Sequence, residues 1–96
     1  MHVLATRFEL RFPTCRSLKE KRSLLRPLLE GGRHRFQVSM AEVDHQDVWQ
    51  RCAVGVAVVS DSPTLAEQIT DDIERFVWSF PELEVLDASR SWLEWG

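Results

Sequence analysis

The sequence predicts an α+β domain whose strands and helices follow the order βαββαβ. Three observations carry this prediction: an alternating strand closed by Pro13, a helix start at Ser17, and a second helix with a regular apolar stripe after Ser62. A chain of 96 residues with 44% hydrophobic and 28% charged residues has the composition of one globular domain. We therefore assign residues 1–96 to a single domain without a linker or an internal repeat.

The first half of the chain predicts a strand and a helix. Large apolar residues alternate with mainly charged ones over Leu4–Phe12, which is the pattern of a half-buried strand. Ser17 and Glu20 have the spacing of a capping box, in which each side chain binds a free backbone N–H group at the start of a helix. Helix 1 is therefore expected to begin near Leu18.

The second half of helix 1 contains residues that disfavour a helix. Pro27 lacks a backbone donor, and Gly31 and Gly32 weaken the following turn. We expect the helix to bend or fray there and a second strand to run over Phe36–Val43.

The middle of the chain predicts a hairpin. Asp44–Asp47 has the composition of a turn and leads into a third strand over Val48–Ser60. This strand is apolar on both sides, as is typical of a central strand. One of its faces is made of small residues, which are Ala53, Gly55 and Ala57.

A second helix and a last strand complete the order. Ser62 and Pro63 suit the cap and the first residue of helix 2. Its predicted core stripe is Leu65, Ile69, Ile73, Phe76 and Phe80. Pro81 ends the helix, and the charged, irregular strand Leu83–Trp95 suits a sheet edge. Right-handed crossovers place both helices on one face of a four-stranded antiparallel sheet, which is a ferredoxin-like fold.

Charge is distributed unevenly along the chain. Residues 1–40 carry nine Lys and Arg against three acids, for a net charge of +6, whereas residues 41–96 carry three Arg against twelve acids, for −9. This arrangement is open to three interpretations: a basic surface for phosphate or RNA, head-to-tail attraction between two copies, or a basic helix 1 that packs beside an acidic helix 2 and is partly neutralised by it.

Two groups of residues are candidate binding sites. A basic cluster surrounds the start of helix 1, where the helix dipole also attracts anions, and two further arginines lie on the uncovered sheet face. These candidates for RNA or phosphate binding are Arg16, Lys19, Lys21, Arg22, Arg26, Arg7 and Arg11. Small residues on strand three and tryptophans outside the predicted core form a candidate interface. Its members are Ala53, Gly55, Ala57, Trp78, Trp92 and Trp95.

The sequence predicts no catalytic residues, no cofactor and no metal site. Neither CxxC nor HxxxH spacing occurs, no glycine-rich phosphate loop is present, and the chain lacks asparagine. Cys15 precedes a helix start beside Arg16, but no histidine lies near it in sequence, so a buried loop cysteine is the stronger interpretation. The absence of a long apolar segment predicts a protein that neither spans a membrane nor carries a secretory leader, and we expect it in the cytoplasm.

Four short strings occur in order along the chain: SLKEKR at 17–22, RFQVSMAEV at 35–43, DVWQR at 47–51 and GVAVVS at 55–60. Together they resemble the YlxP family of small bacterial proteins, a family of unknown function. The resemblance implies a ferredoxin-like fold and a cytoplasmic bacterial protein. Because the family is often associated with genes for translation and ribosome maturation, it also implies a role near RNA, and it offers no established catalytic residues.

These observations lead to two functional hypotheses. In the first, the chain is a non-enzymatic binding protein that forms a homo-oligomer and associates with RNA or ribosomal particles. In the alternative, it is a self-associating scaffold or a small-molecule sensor that pairs through its open sheet face.

Overall fold

The computed structural model describes residues 1–93 and confirms the predicted order of elements. The bounds are β1 His2–Arg11, α1 Leu18–Phe36, β2 Ser39–Asp44, β3 Arg51–Ser60, α2 Pro63–Trp78 and β4 Glu84–Leu93. The strands form one antiparallel sheet in the order β2-β3-β1-β4, so β3 is central and β4 is an edge, as predicted. Both helices cover one face of this sheet, and the other face is open.

The alternation of β1 decides which face holds the core. Leu4, Phe8 and Leu10 are buried beneath the helices, whereas Arg7 and Glu9 point to the open face. Because paired residues lie on the same face of the sheet, each residue of β3 and β4 faces the same side as its partner in β1. The register of β1 therefore fixes the exposed surface of all four strands.

The predicted capping box begins α1. Ser17 Oγ accepts the backbone N–H of Glu20 at 3.0 Å, and the Glu20 carboxylate accepts the backbone N–H of Arg16 at 3.3 Å. The second bond comes from Arg16 rather than from the cap residue itself, but it satisfies a donor in the same turn. Ser62 caps α2 in the same way, accepting the N–H of Leu65 at 3.2 Å.

One expectation about the second half of α1 was wrong. The helix does not fray, since it continues through Pro27, Gly31 and Gly32 to Phe36. Pro27 is exposed. Gly32 is buried, and Met40 of β2 packs so close to it that a Cβ atom there would overlap Met40 Sδ. The glycine is thus a point of close approach between helix and sheet, which holds this part of the helix in place.

The prediction that β2 starts at Phe36 was also wrong, because β2 begins at Ser39. Phe36 is the last helical residue, and its ring packs edge to face against Phe76 of α2 at 5.6 Å. Gln37 then turns the chain with a left-handed φ of 53°, and its N–H bonds Arg33. Packing against α2 therefore outweighs the local alternation of Phe36, Val38 and Met40.

The apolar stripe of α2 is shifted from its predicted position. The fully buried residues are Ala66, Thr70, Ile73 and Val77, whereas Leu65 is exposed. Ile69, Phe76 and Phe80 pack at the margin of the core. The helix ends at Trp78, shortly before Pro81. The aliphatic and small residues of α2 therefore face the sheet, and its phenylalanines lie at the sides.

Each edge strand contains a β-bulge. In β2 the extra residue is Val43, and in β4 it is Leu86, because the register shifts by one residue at each point. Val43 lies across Gly55, where a Cβ atom would be 2.9 Å from Val43 Cγ1. Gly55 therefore makes room for the bulge on the open face.

Candidate functional site

A row of basic residues runs along the solvent side of α1. Lys19, Arg22, Arg26 and Arg33 follow one another at intervals of three, four and seven residues, which places them on one face of the helix. We call this row the α1 cation stripe. All four are exposed, and none of them forms an ion pair with a residue in 1–93. The stripe spans about 21 Å along the helix axis.

A shallow recess of about 240 Å³ lies along this stripe. Its lining consists of Arg22, Leu25, Arg26, Leu29, Glu30 and Arg33. Arg33 is oriented by the backbone of β2, since its Nε donates to the carbonyl of Met40 at 2.7 Å. The recess thus combines three guanidinium groups with apolar walls, and Glu30 is the acid beside them.

Lys21 does not belong to the basic surface, which corrects its assignment as a surface cation. Only 2% of it is exposed, and its Nζ lies 2.8 Å from Glu42 Oε2 of β2. The same ammonium donates to the backbone carbonyl of His45 at 2.7 Å. Lys21 therefore joins α1 to the β2–β3 hairpin.

The sulfur of Cys52 lies in the same buried region. Burial raises the pKa of its thiol to about 12, and the carboxylate of Glu42 adds to this effect while Lys21 opposes it. The thiol is thus protonated at neutral pH, which is the opposite of an activated nucleophile. Cys15 is also buried and free, and its Sγ donates to the carbonyl of Ser17 at 3.3 Å.

The cations of the open sheet face are held by carboxylates. Glu9 lies at the centre of a network in which it contacts Arg7 at 2.8 Å, Arg51 at 3.2 Å and His45 at 3.1 Å. Arg7 also contacts Asp44 at 3.2 Å. We call these five residues the Glu9 network. Outside the network, Arg11 of the same face lies 3.7 Å from Glu84.

The network changes the acidity of its carboxyl groups. Burial alone raises the pKa of Glu9, but hydrogen bonds from Arg7, Arg51 and His45 outweigh it and hold this pKa below its ordinary value. The backbone N–H of His45, followed by Arg7, lowers the pKa of Asp44. Both carboxylates are therefore ionised at neutral pH and compensate the arginines beside them.

Small residues form a groove across the middle of the open face. One row across the sheet is Ser39, Ala57, Ala5 and Ser91, and the next is Ala41, Gly55, Arg7 and Ser89. The groove has a volume of about 470 Å³. Exposed Val59 and Leu93 border one end, and the Glu9 network borders the other.

The candidate interface residues do not form one surface. Gly55 and Ala57 line the groove, but Ala53 is fully buried between its ladder neighbours Glu9 and Asp44. Trp92 pairs with Leu4 and so faces the helix side, where its ring meets that of His2. Trp78 is exposed at the end of α2, and Trp95 lies outside the described residues.

The acids of α2 are paired with β4 rather than with α1. No residue of α1 forms an ion pair with α2 in the part of the chain that the structure describes. The acids Asp71 and Glu74 of α2 instead contact Arg90 of β4, at 2.7 and 3.9 Å. The cations of the α1 stripe consequently have no ion-pair partner in the described part of α2.

Sequence reasoning missed three features of these surfaces. Arg33 was left out of the basic cluster because that cluster was defined around the start of the helix. Lys21 has a visible signal, since it falls on the buried series Lys21, Leu25, Leu28 and Gly32 with helical spacing. The Glu9 network had no local signal, because its members come from three separate segments.

Residues 1–93 contain neither a metal-binding cluster nor a membrane-spanning helix. No group of three or more His, Cys, Asp or Glu residues there is arranged to hold a metal ion. No helix among those residues is long and apolar enough to cross a membrane.

Solved structures confirm the fold. The de novo designed protein Foldit4 matches with a TM-score of 0.58 at 15% identity, over 95% of this chain and 97% of that one. The de novo designed protein LFR1 1, which has a ferredoxin fold, matches with a TM-score of 0.55 at 12% identity, over 97% of this chain and 84% of that one. These likenesses establish the ferredoxin-like fold alone.

Sequence comparisons establish the family. The "Uncharacterized protein YlxP" of Bacillus subtilis (strain 168) is 40% identical over 76 residues, which cover 79% of this chain and 83% of that protein. The family model described as "Protein of unknown function (DUF503)" matches residues 3–90. The chain therefore belongs to the DUF503 family, in agreement with the resemblance to the YlxP family seen in its sequence.

Proposed function

We propose that this chain is a non-catalytic protein that binds the phosphate backbone of RNA through the α1 cation stripe. One observation carries the proposal: the four cations of the stripe have no acidic partner in residues 1–93, whereas the arginines of the open face are paired. Unpaired, exposed guanidinium groups are the ordinary ligands of phosphate oxygens. Arg16 adds a fifth exposed cation just before the helix.

The open face is less suited to RNA for two reasons. Its arginines lie beside carboxylates, Arg7 within the Glu9 network and Arg11 beside Glu84. The open-face side of its central strands carries no aromatic side chain on which a base could stack. Arg7 and Arg11 are therefore removed from the RNA-binding set, as is buried Lys21. The proposed surface consists of Arg16, Lys19, Arg22, Arg26 and Arg33.

A charge-matched pair of variants tests the proposal. Affinity for a fluorescent 15-nucleotide oligo(U) RNA and for ribosomal particles is measured over a range of NaCl concentrations. Arg22→Gln/Arg26→Gln removes two phosphate contacts and is expected to reduce the slope of log affinity against log salt by about 1.4. Arg7→Gln/Arg11→Gln removes the same charge from the open face and serves as the control.

Two outcomes contradict this proposal. The first is an absence of RNA binding at low salt. The second is an equal loss of affinity in both double variants, which would attribute binding to net charge rather than to the stripe.

A second candidate function is self-association through the open face, with a second copy of the chain as the occupant. The groove is neutral because its arginines are compensated, and exposed Val59 and Leu93 border it. Four strands of up to ten residues present roughly 600 Å², which is somewhat below the ~800 Å² per partner of a standard interface. A weak dimer is the expected assembly.

Sedimentation equilibrium tests this candidate. Ala57→Arg places a long cation on the floor of the groove and is expected to leave only monomer. Ser23→Arg adds the same side chain to the exposed side of α1 and is the control. A wild-type chain that stays monomeric at millimolar concentration rules the dimer out.

A further inference from the structure

The β2–β3 hairpin loop exposes two large apolar residues. Val48 and Trp49 lie in this loop, and 51% of Trp49 is accessible to solvent. A tryptophan side chain offers more apolar area than most others, and burying it normally contributes to stability. The exposure of Trp49 therefore indicates that its side chain is available to a binding partner.

The first half of this loop is firmly anchored. The carbonyl of His45 accepts the N–H of Val48 at 3.0 Å and the ammonium of Lys21 at 2.7 Å. The backbone N–H of His45 donates to Asp44 Oδ1 at 2.8 Å, and its ring contacts Glu9 at 3.1 Å. Because Lys21 is buried and ion-paired, this anchor joins the loop to α1.

The second half is anchored to the segment that leads into α1. The carbonyl of Gln50 accepts the N–H of Phe12 at 2.9 Å. The side-chain amide of Gln50 donates to the carbonyls of Pro13 and Cys15, each at 3.2 Å. Trp49 thus precedes a residue that is bonded on three sides, so the loop holds the indole in the solvent instead of folding it onto the core.

The anchors also bring the loop that carries Trp49 to the basic end of α1. The segment that Gln50 bonds continues directly into Arg16, and the first helical turns carry Lys19 and Arg22. These three cations are exposed and have no ion-pair partner within residues 1–93. An exposed aromatic ring and unpaired cations at one end are the combination that single-stranded nucleic acid requires.

We propose that Trp49 is a stacking platform for an unpaired RNA base, while Arg16 and Lys19 bind the phosphates beside that base. The inference rests on the proposed RNA binding and adds the class of RNA, which is single-stranded. In a duplex the faces of the bases are stacked on each other, so Trp49 has nothing to bind there. The α1 cation stripe alone recognises phosphate in either form.

The other tryptophans of the described chain lack this setting. Trp92 packs against the ring of His2 on the helix side of the sheet. Trp78 is 62% exposed, but it ends a helix whose last turns carry Asp72 and Glu74, and Arg75 of that helix is paired with Asp72. Trp78 therefore serves as the control, since it is also exposed but lies on a helix whose arginine is paired with an acid.

The test measures affinity for fluorescent 15-nucleotide oligo(U) RNA and for a 15-base-pair RNA duplex at one low salt concentration. Trp49→Ala is expected to weaken single-strand binding roughly tenfold and to leave duplex binding unchanged. Trp78→Ala is expected to change neither affinity. Titration of the wild type with oligo(U) is expected to quench tryptophan fluorescence, and Trp49→Ala is expected to remove most of this quenching.

Trp49→Phe keeps an aromatic face and is expected to retain most of the single-strand affinity, which separates stacking from a folding defect. Unchanged oligo(U) affinity in Trp49→Ala, with weaker binding by Arg22→Gln/Arg26→Gln, overturns the inference and leaves the proposed function intact. An equal loss for single strand and duplex overturns it as well. If the wild type binds neither RNA at low salt, the proposed function fails first and the inference fails with it.

Discussion

Helix α1 and the open sheet face both carry several cations, but the two regions differ in what those cations contact. On the open face, Arg7, Arg51 and Arg11 lie 2.8, 3.2 and 3.7 Å from carboxylates. On the solvent side of α1, the cation stripe has no acidic partner within residues 1–93. The number of basic residues is therefore a poor measure of the charge available to a ligand, and the pairing of each residue decides it.

Lys21 is the residue that breaks the simple division between helix and sheet. It belongs to α1 by sequence but to the paired group by contact. Replacing it with Met removes a buried cation and is expected to lower the free energy of unfolding by about 3–5 kcal/mol, because Glu42 and the His45 carbonyl lose their partner. Urea denaturation measures this loss.

Arg22→Met is the control for Lys21→Met, since it removes an exposed cation from the same helix and is expected to change stability by less than about 0.5 kcal/mol. The double variant Lys21→Met/Glu42→Gln recovers part of the loss because no buried charge is left alone. Equal effects of the two single variants would show that Lys21 is not held as described.

The buried side of α1 gives the next largest effect. Gly32→Ala introduces a Cβ atom that overlaps Met40 Sδ and comes within 3.6 Å of Phe76. This overpacking is expected to cost about 1–3 kcal/mol of unfolding free energy, measured by thermal or urea denaturation. Adding Met40→Val creates space and restores part of the stability. A stabilising effect of Gly32→Ala alone would mean that helix propensity outweighs the close approach.

Acid titration tests the compensation of charge on the open face. The pKa of Glu9 is lowered in the folded chain, so its ionised form stabilises the fold at pH values above its ordinary pKa of 4.5. This contribution is lost as the pH falls from that value through the lower folded pKa. Urea denaturation at pH 7 and below pH 4 is expected to show a larger loss for the wild type than for Glu9→Gln, and equal losses would contradict the network.

The smallest changes in stability are expected for two single variants, each of which removes one exposed cation from one of the two regions. Arg11→Ala and Arg26→Ala both alter exposed residues, and each is expected to change the free energy of unfolding by less than about 0.5 kcal/mol. Their effects on RNA affinity differ, because only Arg26 belongs to the α1 cation stripe. A stability change larger than this in Arg11→Ala would show that its distant contact with Glu84 matters more than an exposed pair should.

The parts of the fold that sequence predicted are those fixed by local chemistry. The alternation of β1, the caps at Ser17 and Ser62, and the edge position of β4 all follow from short segments and were confirmed. The end of α1 did not follow, because Phe36 is held in the helix by Phe76, forty residues later in the chain. Local alternation carries no information about such a contact.

The surfaces were predictable to a smaller extent. Lys19, Arg22 and Arg26 were found because exposed helical positions can be read from spacing. Lys21 was misassigned because its charge was given more weight than its place in the buried series, and its partner Glu42 lies on another element. The anchoring of the hairpin loop depends on hydrogen bonds from Gln50 to backbone carbonyls, and no sequence pattern predicts these bonds.

The bulges in β2 and β4 bear on how the molecule behaves at high concentration. An edge strand with a regular backbone ladder is a template on which further chains can add and grow into amyloid-like fibrils. Here both edges are interrupted, at Val43 and at Leu86, and each bulge places an exposed apolar side chain at the interruption. Such interruptions disfavour the growth of the sheet along the hydrogen-bonding direction at both edges.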